Sequence, residues 1–108
     1  MIKFYGSPNC VHCRQFRANL DSNRLNYEYI DIDSSILKLR EFLRLRDTRH
    51  EFNEAKCEGR VGVPAIVYED GSISLDWRAY LKSKGVENIV SEQDAAAKMS
   101  CNIDGSGC

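Results

Sequence analysis

The chain has 108 residues, 43% of them hydrophobic and 29% charged, with a formal net charge of −1. That length supports one domain with its own core, and near-neutrality gives no sign of a nucleic-acid or anionic-membrane binder. No apolar run reaches transmembrane length and no charged-then-apolar leader precedes Ile2, so the expected residence is the cytoplasm, where thiols stay reduced.

Ile2 to Tyr5 is short, β-prone and bounded by Gly6, and predicts a strand. The stretch Gly6-Ser7-Pro8-Asn9-Cys10-Val11-His12-Cys13 follows, a C-x-x-C pair where a helical pattern begins. Cys13, Phe16 and Leu20 then mark one helix face to about Asn23, with Arg14, Arg17 and Asn19 on the polar side. If Cys10 caps that helix, its sulfur faces the unpaired N–H groups of the first turn and the positive end of the helix dipole, which favours thiolate over thiol. His12 either adds to this when protonated or is simply an exposed polar residue. Cys13, one turn on, is then the natural resolving thiol. Two other readings of the pair stand beside this one. It can be half a zinc site, although no second close pair with finger spacing follows, or a structural disulfide, although nothing marks the chain as secreted. Five cysteines, an odd number, suit catalysis or metal binding better than a disulfide framework.

Leu25 to Ile32 predicts a second strand, parallel to the first through a right-handed crossover. Asp33 or Ser34 is placed to cap a second helix whose apolar face is Ile36, Leu39 and Leu43, widened by Phe42. Its charges, Lys38 to Arg46, read as a solvated face or as a substrate-facing basic edge. Between Asp47 and Arg60 the pattern weakens into a break or a new helix start, with Phe52 and Ala55 as apolar contacts and Gly59 as a stop. Cys57 lies here and reads as a small half-buried residue.

Val61 to Tyr68 is an apolar strand opened by Pro64, and Glu69-Asp70-Gly71-Ser72 turns it back into a short strand, Ile73 to Leu75. Asp76 is placed to cap a last helix, Trp77 to Lys84, ended by Gly85, with Trp77, Tyr80 and Leu81 as its buried face or a partner surface. Residues 86–108 read as an appendage. A short helix is expected after Ser91, followed by a tail in which Cys101 and Cys108 are a second redox pair, ligands that fold back, or exposed residues. The order is β-α-β-α-β-β-α, an α/β fold with a four-stranded mixed sheet flanked by helices.

This arrangement, with Val63-Pro64 about fifty residues after the cysteines, resembles the thioredoxin-like fold and most closely a glutaredoxin, over about residues 1–85. Leu45 to Arg49 with Glu51-Phe52 further resembles a bacterial subgroup of glutaredoxin-related proteins. The resemblance implies that Cys10 is the nucleophile and Cys13 the resolving thiol. It implies substrate binding by Val11, His12, Val63, Pro64 and Asp76, with a cis peptide before Pro64, a Val63 backbone that pairs with substrate, and Asp76 meeting the glutathione amine. Several positions depart from glutathione-using members. Ser7 stands where a basic residue is common, Ser74-Leu75 where two glycines are, Val11-His12 replaces Pro-Tyr, and the segment before Val63 is longer. Arg60 and Lys56 are candidates to supply the missing cation.

The expectation is a monomeric thiol–disulfide oxidoreductase acting on protein disulfides or glutathione mixed disulfides. No cofactor is held tightly; glutathione serves as co-substrate, or a flavoprotein reductase as electron donor. The alternative is an iron–sulfur cluster or metal carrier with Cys10 as ligand.

Overall fold

The computed structural model describes residues 1–86 and residue 89. The expected helix after Ser91 and the tail cysteines Cys101 and Cys108 lie outside the described residues. The sheet has four strands, β1 (Ile2–Gly6), β2 (Tyr27–Asp31), β3 (Ala65–Val67) and β4 (Ile73–Ser74), in the order β2-β1-β3-β4. β1 pairs with β2 in parallel and with β3 antiparallel, and β4 returns antiparallel along β3. The helices are α1 (Val11–Ser22), α2 (Ile36–Thr48), α3 (Asn53–Cys57) and α4 (Trp77–Ser83), with a 3₁₀ turn at His50–Phe52 before α3. This is the thioredoxin-like architecture expected from the order of elements.

β1 is central, so both its faces are covered. Ile2 and Phe4 join Phe16, Leu20, Ile66, Trp77, Tyr80 and Leu81 in one core beneath α1 and α4. Tyr5 joins Ile30, Ile32, Phe42, Phe52, Ala65 and Ile73 in a second core on the α2 side. Alternation along one strand thus feeds two cores at once. Gly85, at φ +85°, ends α4 as expected. The chain nevertheless stays with the first core beyond it, through Val86 and the partly buried Ile89.

Several local expectations change. α2 is capped by Ser35, whose hydroxyl accepts from the Lys38 N–H, because the Asp33 carboxylate is engaged elsewhere. Its inward stripe is Leu39, Phe42 and Leu45, while Ile36 and Leu43 face solvent. Phe42 sets this phase: it is the one fully buried side chain of the helix, with its ring 5.9 Å from Tyr5 and 5.8 Å from Phe52. Asn19, placed on the polar side of α1, is buried, and its amide donates to the Gln15 carbonyl, so the helix backbone itself satisfies it. Cys57 is exposed because it is the last residue of a five-residue helix. β2 begins at Tyr27 rather than Leu25, where its pairing with Ile2 begins.

The buried Tyr5 and the partly buried Tyr29 make stability fall at high pH. Burial, aided by a hydrogen bond to Glu41, pushes Tyr5 from 10.0 up to about 12. Burial, with the charge of Asp31, pushes Tyr29 from 10.0 up to about 12. Between about pH 10 and 12 the unfolded chain releases these protons and the folded chain keeps them, so folding loses stability as pH rises through that window. Urea midpoints measured across it are expected to drop steadily, and Tyr29→Phe to make the drop shallower. An unchanged slope in that variant would remove Tyr29 from the account.

Candidate functional site

Gly6, Ser7, Pro8 and Asn9 carry the chain from the end of β1 to Cys10, which caps α1 at φ −99° and ψ 120°. The Cys13 backbone N–H donates to Cys10 Sγ at 3.2 Å, so one of the unpaired groups of the helix start points at this sulfur. On the other side, Cys10 Sγ lies 3.9 Å from the Val63 carbonyl oxygen, which accepts from the thiol. Cys10 is half-buried, and Cys13 sits buried behind it. Burial, followed by the hydrogen bond to Cys10, raises the Cys13 thiol far above its ordinary value. Cys13 is therefore a protonated thiol across the neutral range.

Gly6 makes the approach of Cys13 feasible, since a Cβ there would lie 3.1 Å from Cys13 Sγ and 3.2 Å from the rings of Phe4 and Tyr29. The loop between Gly6 and Cys10 is tied down on the β2 side. The Ser7 hydroxyl and the Asn9 amide both donate to Asp33 Oδ2, the Asn9 N–H donates to Ser7 Oγ at 3.0 Å, and the Cys10 N–H donates to the Ser7 carbonyl at 3.1 Å. Sequence reasoning missed this clamp. Asp33 had a local use as a helix cap, and nothing in its neighbours indicates a partner 26 residues away.

On the β3 side a groove of about 330 Å³ opens beside the cysteines. Val63 and Pro64, joined by a cis peptide, lie along it with Gly62, and His12 and Asp76 border it, so four of the five expected substrate-binding residues converge. Val11 does not line it and stands exposed next to Cys10. Gly62, at φ +99°, is needed here, because a Cβ would come within 2.9 Å of the Phe52 ring. Of the two candidate cations Arg60 borders the groove and Lys56 does not.

Glu51, Glu54, Trp77 and Arg78 also border it and were not foreseen as site residues. Trp77 organises that wall. Its ring is 5.8 Å from His12 and carries the Arg78 guanidinium 4.3 Å above its centroid. The Glu51 carboxyl is held below its ordinary value by its own backbone N–H and then by Arg49. Asp76 spends one oxygen on the Ala79 N–H at the start of α4. A larger hollow of about 610 Å³ lies at the far end of the sheet, among Ile2, Leu25, Tyr68 and Tyr80, away from both cysteines.

For the metal reading, Cys10 and Cys13 supply two ligands, and among the described residues no three His, Cys, Asp or Glu side chains converge on one point. Also among these residues, no helix is long and apolar enough to cross a membrane.

Residues 2–73 match the family described as Glutaredoxin. A relative from Haemophilus influenzae, described as an uncharacterized protein, is 36% identical over 75 residues, which make up 69% of this chain and 86% of its own. No solved structure matches. The match spans β1, both cysteines, β3 and the turn into β4, and stops short of Asp76, Trp77 and Arg78 on the wall of the groove; the chain belongs to the glutaredoxin family.

Proposed function

We propose that the chain is a monomeric thiol–disulfide oxidoreductase that reduces protein disulfides or glutathione mixed disulfides with the Cys10/Cys13 dithiol. The observation that carries this reading is the pairing of a half-buried cysteine, its sulfur held at 3.2 Å by the Cys13 N–H, with a buried thiol one turn behind it. Cys10 thiolate attacks one sulfur of the substrate disulfide, an S–S bond forms between them, and the other substrate sulfur leaves as a thiolate. Cys13 then gives up its proton and attacks Cys10 Sγ. The mixed disulfide breaks, and the second substrate sulfur leaves and takes up a proton. Two electrons pass to the substrate, which becomes two thiols, and Cys10 and Cys13 become a disulfide. Two glutathione molecules, or a flavoprotein reductase, return those electrons. This chemistry suits a reducing compartment such as the cytoplasm.

The groove supports glutathione as a participant. Glutathione carries one amine and two carboxylates, and the lining offers Asp76, Glu51 and Glu54 together with Arg60 and Arg78. Ser7 stands where a cation is common at the loop, and the positive groups nearby are Arg60 and Arg78 in the groove and Arg14, which donates to the Pro8 carbonyl at 2.7 Å. The test is turnover of a small glutathione mixed disulfide, with NADPH and glutathione reductase recycling the glutathione. Rapid turnover is expected. No turnover, in protein that a thioredoxin-type flavoprotein reductase does reduce, would replace glutathione as donor; failure with both donors would overturn the reading.

A further inference from the structure

Ser7 serves both cysteines of the pair through its backbone. Its carbonyl accepts from the Cys10 N–H at 3.1 Å. Burial and then the hydrogen bond to Cys10 raise the Cys13 thiol, and the Ser7 N–H, directed at that thiol, works against the rise. The position of this one residue therefore bears on where each sulfur stands.

Ser7 is itself held from outside the turn. Its side chain is buried, and its hydroxyl donates to Asp33 Oδ2 while accepting from the Asn9 N–H at 3.0 Å. The same Asp33 oxygen accepts from the Asn9 side-chain amide at 3.1 Å. Asp33 is fixed in turn by the sheet. Its N–H donates to Asp31 Oδ1 at 2.8 Å, Asp31 pairs with Gly6 at the end of β2, and the Ile32 N–H donates to the Gly6 carbonyl at 2.9 Å. On the other flank the Arg14 guanidinium donates to the Pro8 carbonyl at 2.7 Å, so the turn keeps one tie without Asp33. Asp33 is exposed, belongs to neither core and does not cap α2, which Ser35 does. What its side chain does is hold two residues of the nucleophile turn.

The step most sensitive to such a hold is the second one. The Cys13 thiol loses its proton, its sulfur bonds to Cys10 Sγ, and the bond from Cys10 to the substrate sulfur breaks. That sulfur leaves with the electron pair and takes up a proton. The rate follows the fraction of time that the sulfurs stand in line for attack, and a turn free to move spends less time so aligned.

We infer that Asp33 is a positioning residue for the resolving step: by holding Ser7 and Asn9 it keeps the Cys10 turn in place beside Cys13 and speeds closure of the Cys10–Cys13 disulfide. The inference rests on the reading of these cysteines as a redox dithiol and adds to it a residue that acts through Ser7.

The test uses the full chain with Cys57, Cys101 and Cys108 replaced by serine, so that only the pair reports. The reduced protein is mixed with one equivalent of dithiodipyridine, an aromatic disulfide. Attack by Cys10 releases one pyridinethione and leaves the other half on Cys10. Closure by Cys13 releases the second, and absorbance separates the two steps. Asp33→Ala is expected to slow the second release about ten-fold, as loss of a hydrogen bond to a carboxylate would give, and to change the first far less. Asp33→Asn keeps an oxygen that accepts from Ser7 and Asn9, and is expected to restore most of the lost rate. Ser7→Ala is expected to slow closure as well, and the double variant by far less than the product of the two single losses. A thermal melt checks folding, and Ser7→Ala repeats the test without touching the segment after β2.

Closure at the parent rate in Asp33→Ala would overturn the positioning role. Equal slowing of both releases would also overturn it, by making Asp33 a support of the fold alone. A fully multiplicative loss in the double variant, or an Asp33→Asn chain as slow as Asp33→Ala, would overturn the route through Ser7. The reductase reading fails separately. A parent chain that closes on the reagent and shows the Asp33 effect, yet turns over neither peptide nor glutathione disulfides, would sink that reading and keep the positioning role. A parent chain with no second release would sink both.

Discussion

Cys10→Ser is expected to lower disulfide turnover by roughly three orders of magnitude or more, because a hydroxyl in that place neither ionises near neutral pH nor forms the mixed disulfide. Cys13→Ser is expected to behave differently. It retains the backbone N–H that points at Cys10 Sγ, so the first attack survives. The second step is lost, since no thiol remains behind the mixed disulfide. With a peptide disulfide the variant should accumulate a covalent adduct at Cys10, visible by mass spectrometry as the mass of one peptide half. With glutathione present, that adduct is open to attack from outside, so turnover of a glutathione mixed disulfide should fall far less than turnover of a protein disulfide. Retention of more than a tenth of wild-type activity by Cys10→Ser would remove Cys10 from the mechanism. The reverse pattern, with the adduct on Cys13, would exchange the two roles. Burial of Cys13 and the partial exposure of Cys10 argue against that exchange.

The largest effect on stability is expected at Phe4. Its ring is fully buried in the middle of β1, 4.9 Å from Phe16, 5.0 Å from Tyr29 and 5.5 Å from Tyr27, measured between centroids. Removing such a side chain loses both its transfer free energy and the contacts of the cavity left behind, about 3–5 kcal/mol for Phe→Ala. A domain of this size is stable by only about 5–15 kcal/mol, so Phe4→Ala is expected to be marginally folded at best. The site should feel the change as well, because the same ring lies where it limits the space around Gly6, under Cys13. Urea unfolding should show the midpoint falling with little change in slope. Phe4→Leu, which refills most of the volume, is the control and should recover more than half of the loss. A loss of less than about 1 kcal/mol in Phe4→Ala would mean that the first core repacks around the gap.

Much of this molecule is legible along the chain because its signals are short-range. A strand, a cap and an amphipathic helix are each written within a few residues, and Cys10, Asp76 and Gly85 fall where those local rules put them. The apolar contacts Phe52 and Ala55 are both fully buried, and the hairpin closes through Tyr68 and Ser72 as its turn residues indicate. The order of these pieces was enough for the fold class, since strand, helix and parallel strand admit few arrangements. Resemblance to glutaredoxins added the pairing of Val63-Pro64 with the cysteines, and the carbonyl of Val63 does lie against Cys10.

What local pattern could not hold was any choice between partners distant in sequence. Asp33 has two uses, capping a helix or bonding Ser7 and Asn9, and only the meeting of β1 with β2 decides for the second. α2 has enough leucine and isoleucine to face the core in more than one phase. Phe42 selects one phase because Tyr5 and Phe52 arrive beside it from other parts of the chain. The groove is likewise assembled from residues 12 to 78, so its mixed charges appear in no single stretch. Periodicity and caps are set by backbone geometry over one or two turns, and they determined the elements and the place of the C-x-x-C pair at a helix start. Side-chain contacts over long sequence separations depend on how those elements pack, and tertiary structure alone decided the clamp and the groove.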